Sequence, residues 1–415
     1  MQPTRDLTDP EQNEAVLRSA SALLADAGAA VPVAVDAEAR AVADSRRRLA
    51  ALTGPVHLTV VWAMYGETGR MATRAQHPHG EDFVRVKVRQ LDWLTAGLPE
   101  VTWSILAVDD GCPDRPSSAE AMAAIAAAEG YPTEGHRAVS VLRLADVLEA
   151  GPSISPAFDT LTSTDQSRKG GSILAGLAVA VAAGADVVCY TDADLSANLA
   201  MLGSLVAPVV AGEGVVAALG QRYGMAGAVL AKADGPSVEP HSTGDKPDKL
   251  IVLFRHVVRA MLVPDLAHVL DTQAGFKAFD AAALRPVLSR VTAFHETFDV
   301  ELLILLAQAF GPASLVVEPI VFTEDLAATN FPSVDPGARH LAMVEQVVQL
   351  YDRLVAPVAP ATGEAADLLD LLRGLDLDGY VRLVEGLRAE DPGDPTLFDR
   401  RWPVARLREL AAPPR

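Results

Sequence analysis

The apolar positions of the chain begin at helical spacing, with Val16, Leu17, Ala20, Leu23 and Leu24 on one face of residues 14–28 and a polar Ala/Arg-rich stretch in the same style reaching about Leu52. Gly54-Pro55 ends this lead-in, and short β-branched runs separated by longer helix-period segments take over. Runs at 57–63, 103–108, 139–144, 186–191, 215–219 and 314–322 predict strands, and segments at 81–97, 117–129, 170–184, 198–212, 248–263, 280–289 and 298–310 predict helices. Several strands are almost uniformly apolar, as strands of a mostly parallel sheet covered on both faces must be, so the alternation predicts an α/β fold with crossover helices. Beyond Pro332 the strands stop. Two helical blocks follow, 338–355 with Leu341, Val344, Val348 and Tyr351 on one stripe and 365–389 with Leu368, Leu372, Leu375 and Val384, parted by Pro357-Val358-Ala359-Pro360. The expected organisation is a helical N-terminal extension over 1–54, an α/β domain over 55–335 and a helical C-terminal extension over 336–415.

Composition changes this picture little: half of the 415 residues are hydrophobic and 21% are charged, an ordinary globular mix. Charge excludes more, because 35 Lys and Arg against 54 Asp and Glu, a net −19, leave no broad cationic footprint for nucleic acid. Two cysteines, Cys112 and Cys189, with no paired Cys/His spacing, predict neither a disulfide framework nor structural zinc, and a cytoplasmic setting is expected. The N-terminus lacks an apolar signal region, and the most apolar stretch, 170–185, falls short of the roughly 20 residues that span a bilayer, so no transmembrane segment is expected.

Ligands of an open parallel sheet bind beyond the carboxyl ends of its strands, which directs attention to the polar residues after each apolar run. These are Tyr65-Gly66-Glu67, Asp109-Asp110-Gly111, Thr191-Asp192-Ala193-Asp194 and Gly220-Gln221-Arg222. An Asp-x-Asp at a strand end either caps the next helix or, with a turn, aims two carboxylates at one hard cation. The second acidic strand end favours the cation, which would bind through carboxylates and diphosphate oxygens. Arg168-Lys169-Gly170-Gly171 opens a helix and suits either a phosphate or a solvated helix start. Asp299 and Glu301 head a strongly apolar helix, where the dipole alone favours carboxylates. The apolar helix over 249–263 carries Lys249, Arg255, His256 and Arg259, which suit either a core helix with solvated cations or peripheral contact with a membrane and its lipid phosphates. The leucines of 365–389 suit internal packing or a homodimer.

In this order the motifs resemble the inverting nucleotide-sugar glycosyltransferases of the GT-A fold, the large family 2. Its members share an opening strand ending in Tyr-Asn-Glu, an Asp-Asp-Gly-Ser strand end, an Asn-Lys-Gly-x-Gly helix start and an Asp-x-Asp metal motif. Asp271-Thr272-Gln273-Ala274-Gly275-Phe276-Lys277, followed by Phe298-Asp299-Val300-Glu301-Leu302-Leu303, is similar to the subset that glucosylates or mannosylates dolichyl or polyprenyl phosphate. The similarity spans about residues 56–325. Four positions depart from the pattern: Gly66 for Asn, Cys112 for Ser, Gly171 within the Lys-Gly-x-Gly spacing, and Ser196 where the lipid-phosphate enzymes commonly carry Gln.

The resemblance implies a mixed, mostly parallel GT-A sheet and a hexosyltransferase that draws on a UDP- or GDP-sugar with Mg²⁺ or Mn²⁺. It places Glu67 and Asp109 at the base and ribose with Tyr65 and Asp110 beside them, and Lys169 near the donor. Asp192 and Asp194 would bind the metal on the diphosphate, with Asp192 also bordering the donor. Arg222 would meet a donor or acceptor phosphate. Gln273 would lie between donor and acceptor, with Asp271, Lys277 and Asp299 on the acceptor side. A hydroxyl acceptor needs a carboxylate base, for which Asp299 and Asp271 are the candidates, whereas a phosphate acceptor needs none. The acceptor stands between polyprenyl phosphate and a small soluble molecule such as a secondary metabolite. Two other readings remain: a sugar nucleotidyltransferase, which usually shows a Gly-rich loop where 63–70 offers only Gly66 and Gly69, and a nucleotide-sugar-binding protein without turnover.

Overall fold

A computed structural model of the chain describes residues 4–151, 154–167, 169–222, 229–233, 257–324, 336–390 and 402–413. Arg168, Lys249, Arg255 and His256, which the sequence offers as cations, lie outside the described residues. The strands are β1 (Thr4–Arg5), β2 (Val56–Met64), β3 (Val101–Asp109), β4 (Ala138–Arg143), β5 (Val187–Thr191), β6 (Ala217–Gln221), β7 (Val229–Ala233), β8 (Phe276–Asp280), β9 (Leu315–Pro319) and β10 (Val321–Glu324). Seven of them form one sheet in the order β4-β3-β2-β5-β8-β6-β9. Neighbours run parallel except at β8, which is antiparallel to both β5 and β6. The fold is therefore the mixed, mostly parallel α/β sheet expected from the sequence.

Three differences from the expected elements have local causes. β8 gives no strand signal in the sequence because Lys277 interrupts its apolar run. The single run over 314–322 divides at Ile320: β9 stays in the large sheet, while β10 joins β1 and β7 in a small parallel sheet. The run over 139–144 stops a residue early because Leu144 already begins a helix, Leu144–Ala150.

Both faces of the sheet are covered, as the uniform apolarity of β2 and β5 demands. On one face Leu58, Val60 and Trp62 pack with Phe83 and Leu91 of α3 (Phe83–Thr95), after which the N-terminal helices α1 (Pro10–Ala25) and α2 (Asp36–Ala50) add Val16, Leu17 and Val42. On the other, Val61, Val188 and Tyr190 pack against Ile173 and Leu177 of α5 (Gly170–Ala182), which follows α4 (Ser118–Glu129) in the chain. Gly176 lets this helix approach closely, since a Cβ there would stand 2.4 Å from Val61 Cγ1.

The C-terminal helices extend that second face. After α6 (Leu202–Ala211) and α7 (Phe298–Phe310) come α8 (Pro336–Leu350), α9 (Glu364–Arg373), α10 (Leu377–Glu390) and α11 (Val404–Ala411). The block expected over 365–389 is thus two helices, and its Leu368, Leu372, Leu383 and Leu387 lie in the chain's own core. Glu301 ties this layer to the rest. Its fully buried carboxylate accepts from the amides of Thr292 at 3.1 Å and Ala293 at 2.6 Å and pairs with Arg353 at 2.7 Å. Arg353 belongs to the π-helical turn Tyr351–Val355 that continues α8.

Removing Glu301 orphans two interior amides and takes the partner from Arg353, whose side chain is 38% exposed, so Glu301→Ala should cost about 3 kcal/mol, chiefly through the amides. Arg353→Ala leaves the carboxylate its amide donors and should cost about 1 kcal/mol. Urea unfolding of the two variants measures the difference, and equal losses would show that the ion pair, not the amide cradle, dominates.

Candidate active site

From β2 the sheet grows one way through β3 and β4, and the chain then returns to lay β5 on the other side of β2. This reversal leaves a crevice at the carboxyl ends of β2 and β5, the position where open α/β sheets take ligands. Because β8 is antiparallel, the loop that enters it arrives at the same edge, and the amide of Asp192 donates to Gly275 O at 3.1 Å. The motifs after β2, β3, β5 and β6 and the motif before β8 therefore share one edge.

In the turn after β5, Ala193 is buried while Asp192 and Asp194 are partly accessible, so both carboxylates leave the core together. Asp194 Oδ1 accepts from the amide of Ser196 at 3.1 Å. Asp192 is ion-paired with the ammonium of Lys169, whose own amide donates to Asp110 Oδ2 at 2.7 Å. Lys169 has a φ of 78°, a region that costs energy for a side-chain-bearing residue and that recurs at ligand sites.

Among the described residues, no three His, Cys, Asp or Glu side chains gather where a metal ion could sit. The donor set is two hard carboxylates, one of them already facing a cation. That fits Mg²⁺ or Mn²⁺ arriving with diphosphate oxygens and water as its remaining ligands, and it does not fit a resident metal held by protein alone.

The side nearest β2 and β3 assigns its residues differently from the motif reading. Tyr65 is 48% exposed at the end of β2. Glu67 is buried and paired with Arg70 at 2.9 Å, and burial lifts its carboxyl above the usual range, assisted by the charges of Asp194 and Asp192 and opposed by Arg70. Asp109, expected at the base and ribose, accepts instead from the amides of Gly111 at 3.0 Å, Cys112 at 2.8 Å and Ala119 at 2.9 Å. It shapes the loop after β3 and the first turn of α4. Asp110 likewise holds the start of α5, through the Lys169 amide and the Ser172 hydroxyl at 2.7 Å.

On the opposite side, Arg222 grips Asp271 through Nε at 2.7 Å and NH2 at 3.0 Å, with its guanidinium 4.9 Å from the centre of the Phe322 ring. Burial alone would raise the Asp271 carboxyl, but Arg222 outweighs it and holds the group below its ordinary range. Asp299 behaves oppositely. Burial pushes its carboxyl up, and Lys277, 3.6 Å away, offsets this only in part. Lys277 is fully buried and donates to Tyr190 Oη at 2.7 Å, so it lies beneath the crevice and steadies Asp299 where direct contact with an acceptor was expected. Gln273 donates to Glu296 O at 3.1 Å. Arg259 was expected as a surface cation. It is buried, and it braces the loop before Asp271 by donating to the carbonyls of Val269 and Leu270 and to the Thr272 hydroxyl. The two halves sense each other: burial and the carboxylates of Asp299, Asp192 and Asp271 together push the Tyr190 hydroxyl well up.

Two cations escaped the motif reading. Lys87 on α3 is fully buried, 5.4 Å from the centre of the Trp62 ring, and donates to Asp192 O at 3.1 Å. Burial pushes it down to about 8, against the pull of Asp194, Asp192, Glu81 and Glu67. Its signal was present, since Lys87 shares the apolar stripe of α3 with Phe83, Val84 and Leu91. Arg70, in the short helix Thr68–Met71, had no comparable signal.

No protein-family model and no curated protein matches the chain. Among solved structures, glucosyl-3-phosphoglycerate synthase from Mycobacterium tuberculosis aligns with 77% of this chain and 86% of its own at 18% identity and a TM-score of 0.45. The same synthase in complex with UDP aligns at 19% identity over 75% of this chain and 84% of that one, with a TM-score of 0.45. In complex with Mn²⁺, UDP-glucose and phosphoglyceric acid it aligns at 18% identity over 75% and 84%, with a TM-score of 0.46. A likeness of this extent assigns neither a family nor an activity, and the functional reading rests on the residues of the site.

Gly275 supports the acidic turn from below, where a Cβ would stand 2.6 Å from both Asp192 carboxylate oxygens. Gly275→Ala should therefore displace that carboxylate and weaken Mn²⁺-dependent binding of a nucleoside diphosphate by roughly tenfold, a typical cost of disturbing a ligand's support. Isothermal titration calorimetry gives the affinity. An unchanged value would remove Asp192 from the metal site.

Proposed function

We propose that the chain is a metal-dependent inverting hexosyltransferase of the GT-A type, moving a sugar from a UDP- or GDP-sugar to a hydroxyl of a small soluble acceptor. The observation that carries this reading is the meeting, at one edge of the sheet, of two outward carboxylates beside Lys169 with a raised carboxyl, Asp299, beside a buried lysine. The first group suits a diphosphate and the second a proton acceptor.

Asp192 and Asp194 would hold Mg²⁺ or Mn²⁺, which supplies Lewis-acid stabilisation of the departing nucleoside diphosphate. Lys169 adds positive charge on the same side. The acceptor oxygen bonds to the anomeric carbon as the bond from that carbon to the diphosphate oxygen breaks, and the hydroxyl proton passes to a carboxylate. Asp299 suits that role better than Asp271, because a base with a raised pKa holds the proton more firmly, whereas Arg222 keeps Asp271 ionised and weakly basic. A hydroxyl acceptor is favoured over polyprenyl phosphate because, among the described residues, the candidate cations for an acceptor phosphate are engaged internally: Arg222 by Asp271, Lys277 by Asp299 and Tyr190, and Arg259 by backbone carbonyls.

Asp192→Asn and Asp194→Asn should each abolish Mn²⁺-dependent binding of UDP or GDP, measured by calorimetry, with the unfolding midpoint little changed. Unaltered binding in both variants would overturn the metal assignment. Asp299→Asn should lower kcat by roughly 10²–10⁴ while donor affinity persists, and Asp271→Asn should lower it less. The pH profile carries the sign: Asp299 must be ionised to act, so activity rises with pH through a midpoint above the ordinary carboxylate range, and that limb vanishes in Asp299→Asn. Product analysis with polyprenyl phosphate and with soluble hydroxyl acceptors in parallel tests the acceptor, and transfer to the lipid phosphate alone would replace the hydroxyl reading.

A further inference from the structure

Besides the contact of Asp194 with the Ser196 amide, the Asp192–Asp194 turn is held by side chains from elsewhere in the chain. Beyond Asp194, the amide of Leu195 donates to Glu81 Oε2 at 2.8 Å and that of Leu199 to Gln90 Oε1 at 2.9 Å, while the Lys87 ammonium binds the carbonyl of Asp192. All three side chains come from one short stretch, residues 81–90, which is the start of α3 and the residues just before it. All three are buried: Glu81 is 2% exposed, Lys87 0% and Gln90 3%. They act on backbone groups of Asp192, Leu195 and Leu199, so this one stretch holds the turn and the residues that follow it at three points.

Glu81 has a second connection. Its Oε1 lies 3.6 Å from Arg70 Nε, and Arg70 binds Glu67 through NH1 at 2.9 Å. A chain of contacts therefore runs from Glu67, after β2, through Arg70 and Glu81 to the amide next to Asp194. The distances make Glu81 the only member of the stretch that touches both the turn and the Glu67 side among the described contacts.

We propose that Glu81 and Gln90 are positioning residues for the metal-binding turn, with Glu81 the principal one, and that α3 sets how well the turn presents Asp192 and Asp194 to a cation-bound diphosphate. Neither residue touches ligand. Each acts by accepting an amide proton whose loss would free the turn, much as outer-shell partners orient metal ligands. This inference rests on the reading given under Proposed function, since the role it assigns is toward the Mg²⁺ or Mn²⁺ that Asp192 and Asp194 would hold.

The test compares Glu81→Ala, Glu81→Gln and Gln90→Ala with the native chain in two measurements: hydrogen exchange of the peptide covering 192–199, and calorimetric titration of UDP and of GDP with and without Mn²⁺. Glu81→Ala should speed exchange in that peptide and weaken Mn²⁺-dependent affinity by roughly 10–100-fold, leaving the metal-independent part unchanged. Gln90→Ala should do the same to a smaller degree. Glu81→Gln keeps an acceptor for the Leu195 amide, so it should restore slow exchange and most of the affinity. A merely structural role predicts something else, equal loss of the metal-dependent and metal-independent parts, and that result would overturn the proposal. So would faster exchange with Mn²⁺-dependent affinity intact, or failure of Glu81→Gln to rescue. If the native chain binds neither nucleotide with Mn²⁺, the reading of the site itself falls and the positioning role with it, an outcome distinct from the others because it precedes any substitution.

Discussion

The constraint on which the site depends is charge balance at the carboxyl edge of the sheet. Carboxylates cluster there in surroundings poor in water, where an unpaired charge is costly and a well-placed counter-ion recovers most of the loss. The chain supplies a cation for four of them, Arg70 for Glu67, Lys169 for Asp192, Arg222 for Asp271 and Lys277 for Asp299, and backbone amides for Asp109 and Asp194. These pairs are not alike. A bidentate guanidinium holds Asp271 ionised, while a single ammonium at 3.6 Å leaves Asp299 dominated by its burial. Two buried acidic residues of one crevice wall are thus given different chemistry by the geometry of their partners.

Much of this was legible before any coordinates. The apolar runs located six strands, and their acidic ends located the crevice, because a strand buried on both faces leaves only its ends for polar chemistry. What escaped was set by contacts across large sequence separations. β8 was illegible because Phe-Lys-Ala-Phe-Asp places a lysine inside a central strand, which is tolerable only because Tyr190 and Asp299 wait there to receive it. The oxygens of Asp109 serve three amides within ten residues, a demand that the motif alone does not display. The helix-period segment over 81–97 forms the helix Phe83–Thr95, but the partner of its buried Lys87, the carbonyl of Asp192, lies 105 residues away.

The terminal helices are built into the molecule and are not appended to it. Those at the N-terminus share a core with Trp62 and Phe83, and those at the C-terminus share one with Tyr190 and Leu302, so the two extensions cover opposite faces of the same sheet. A polar thread accompanies the first of them. Arg5, from the short strand β1, pairs with Glu38 on α2 at 2.9 Å, and Glu38 in turn accepts from Asn198 at 2.7 Å, four residues past Asp194. Each participant is buried and has its hydrogen bonds met by the others, the condition under which a polar network rigidifies an interior.

The reversed direction of β8 separates the two halves of the crevice in an unusual way. Asp109 and Asp192 stand where strands leave the sheet, whereas Asp271 and Gln273 stand where a strand comes in. The segment that delivers them is anchored on its way in as well: Val258, Leu262 and Leu266 are buried in the core shared with β5, and His268 Nε2 lies 3.0 Å from Leu315 O on β9. A crevice built this way takes one wall from departing strands and the other from an arriving one, so its two walls are written in separate stretches of sequence, 64–67, 109–112 and 191–196 on one side and 269–275 on the other.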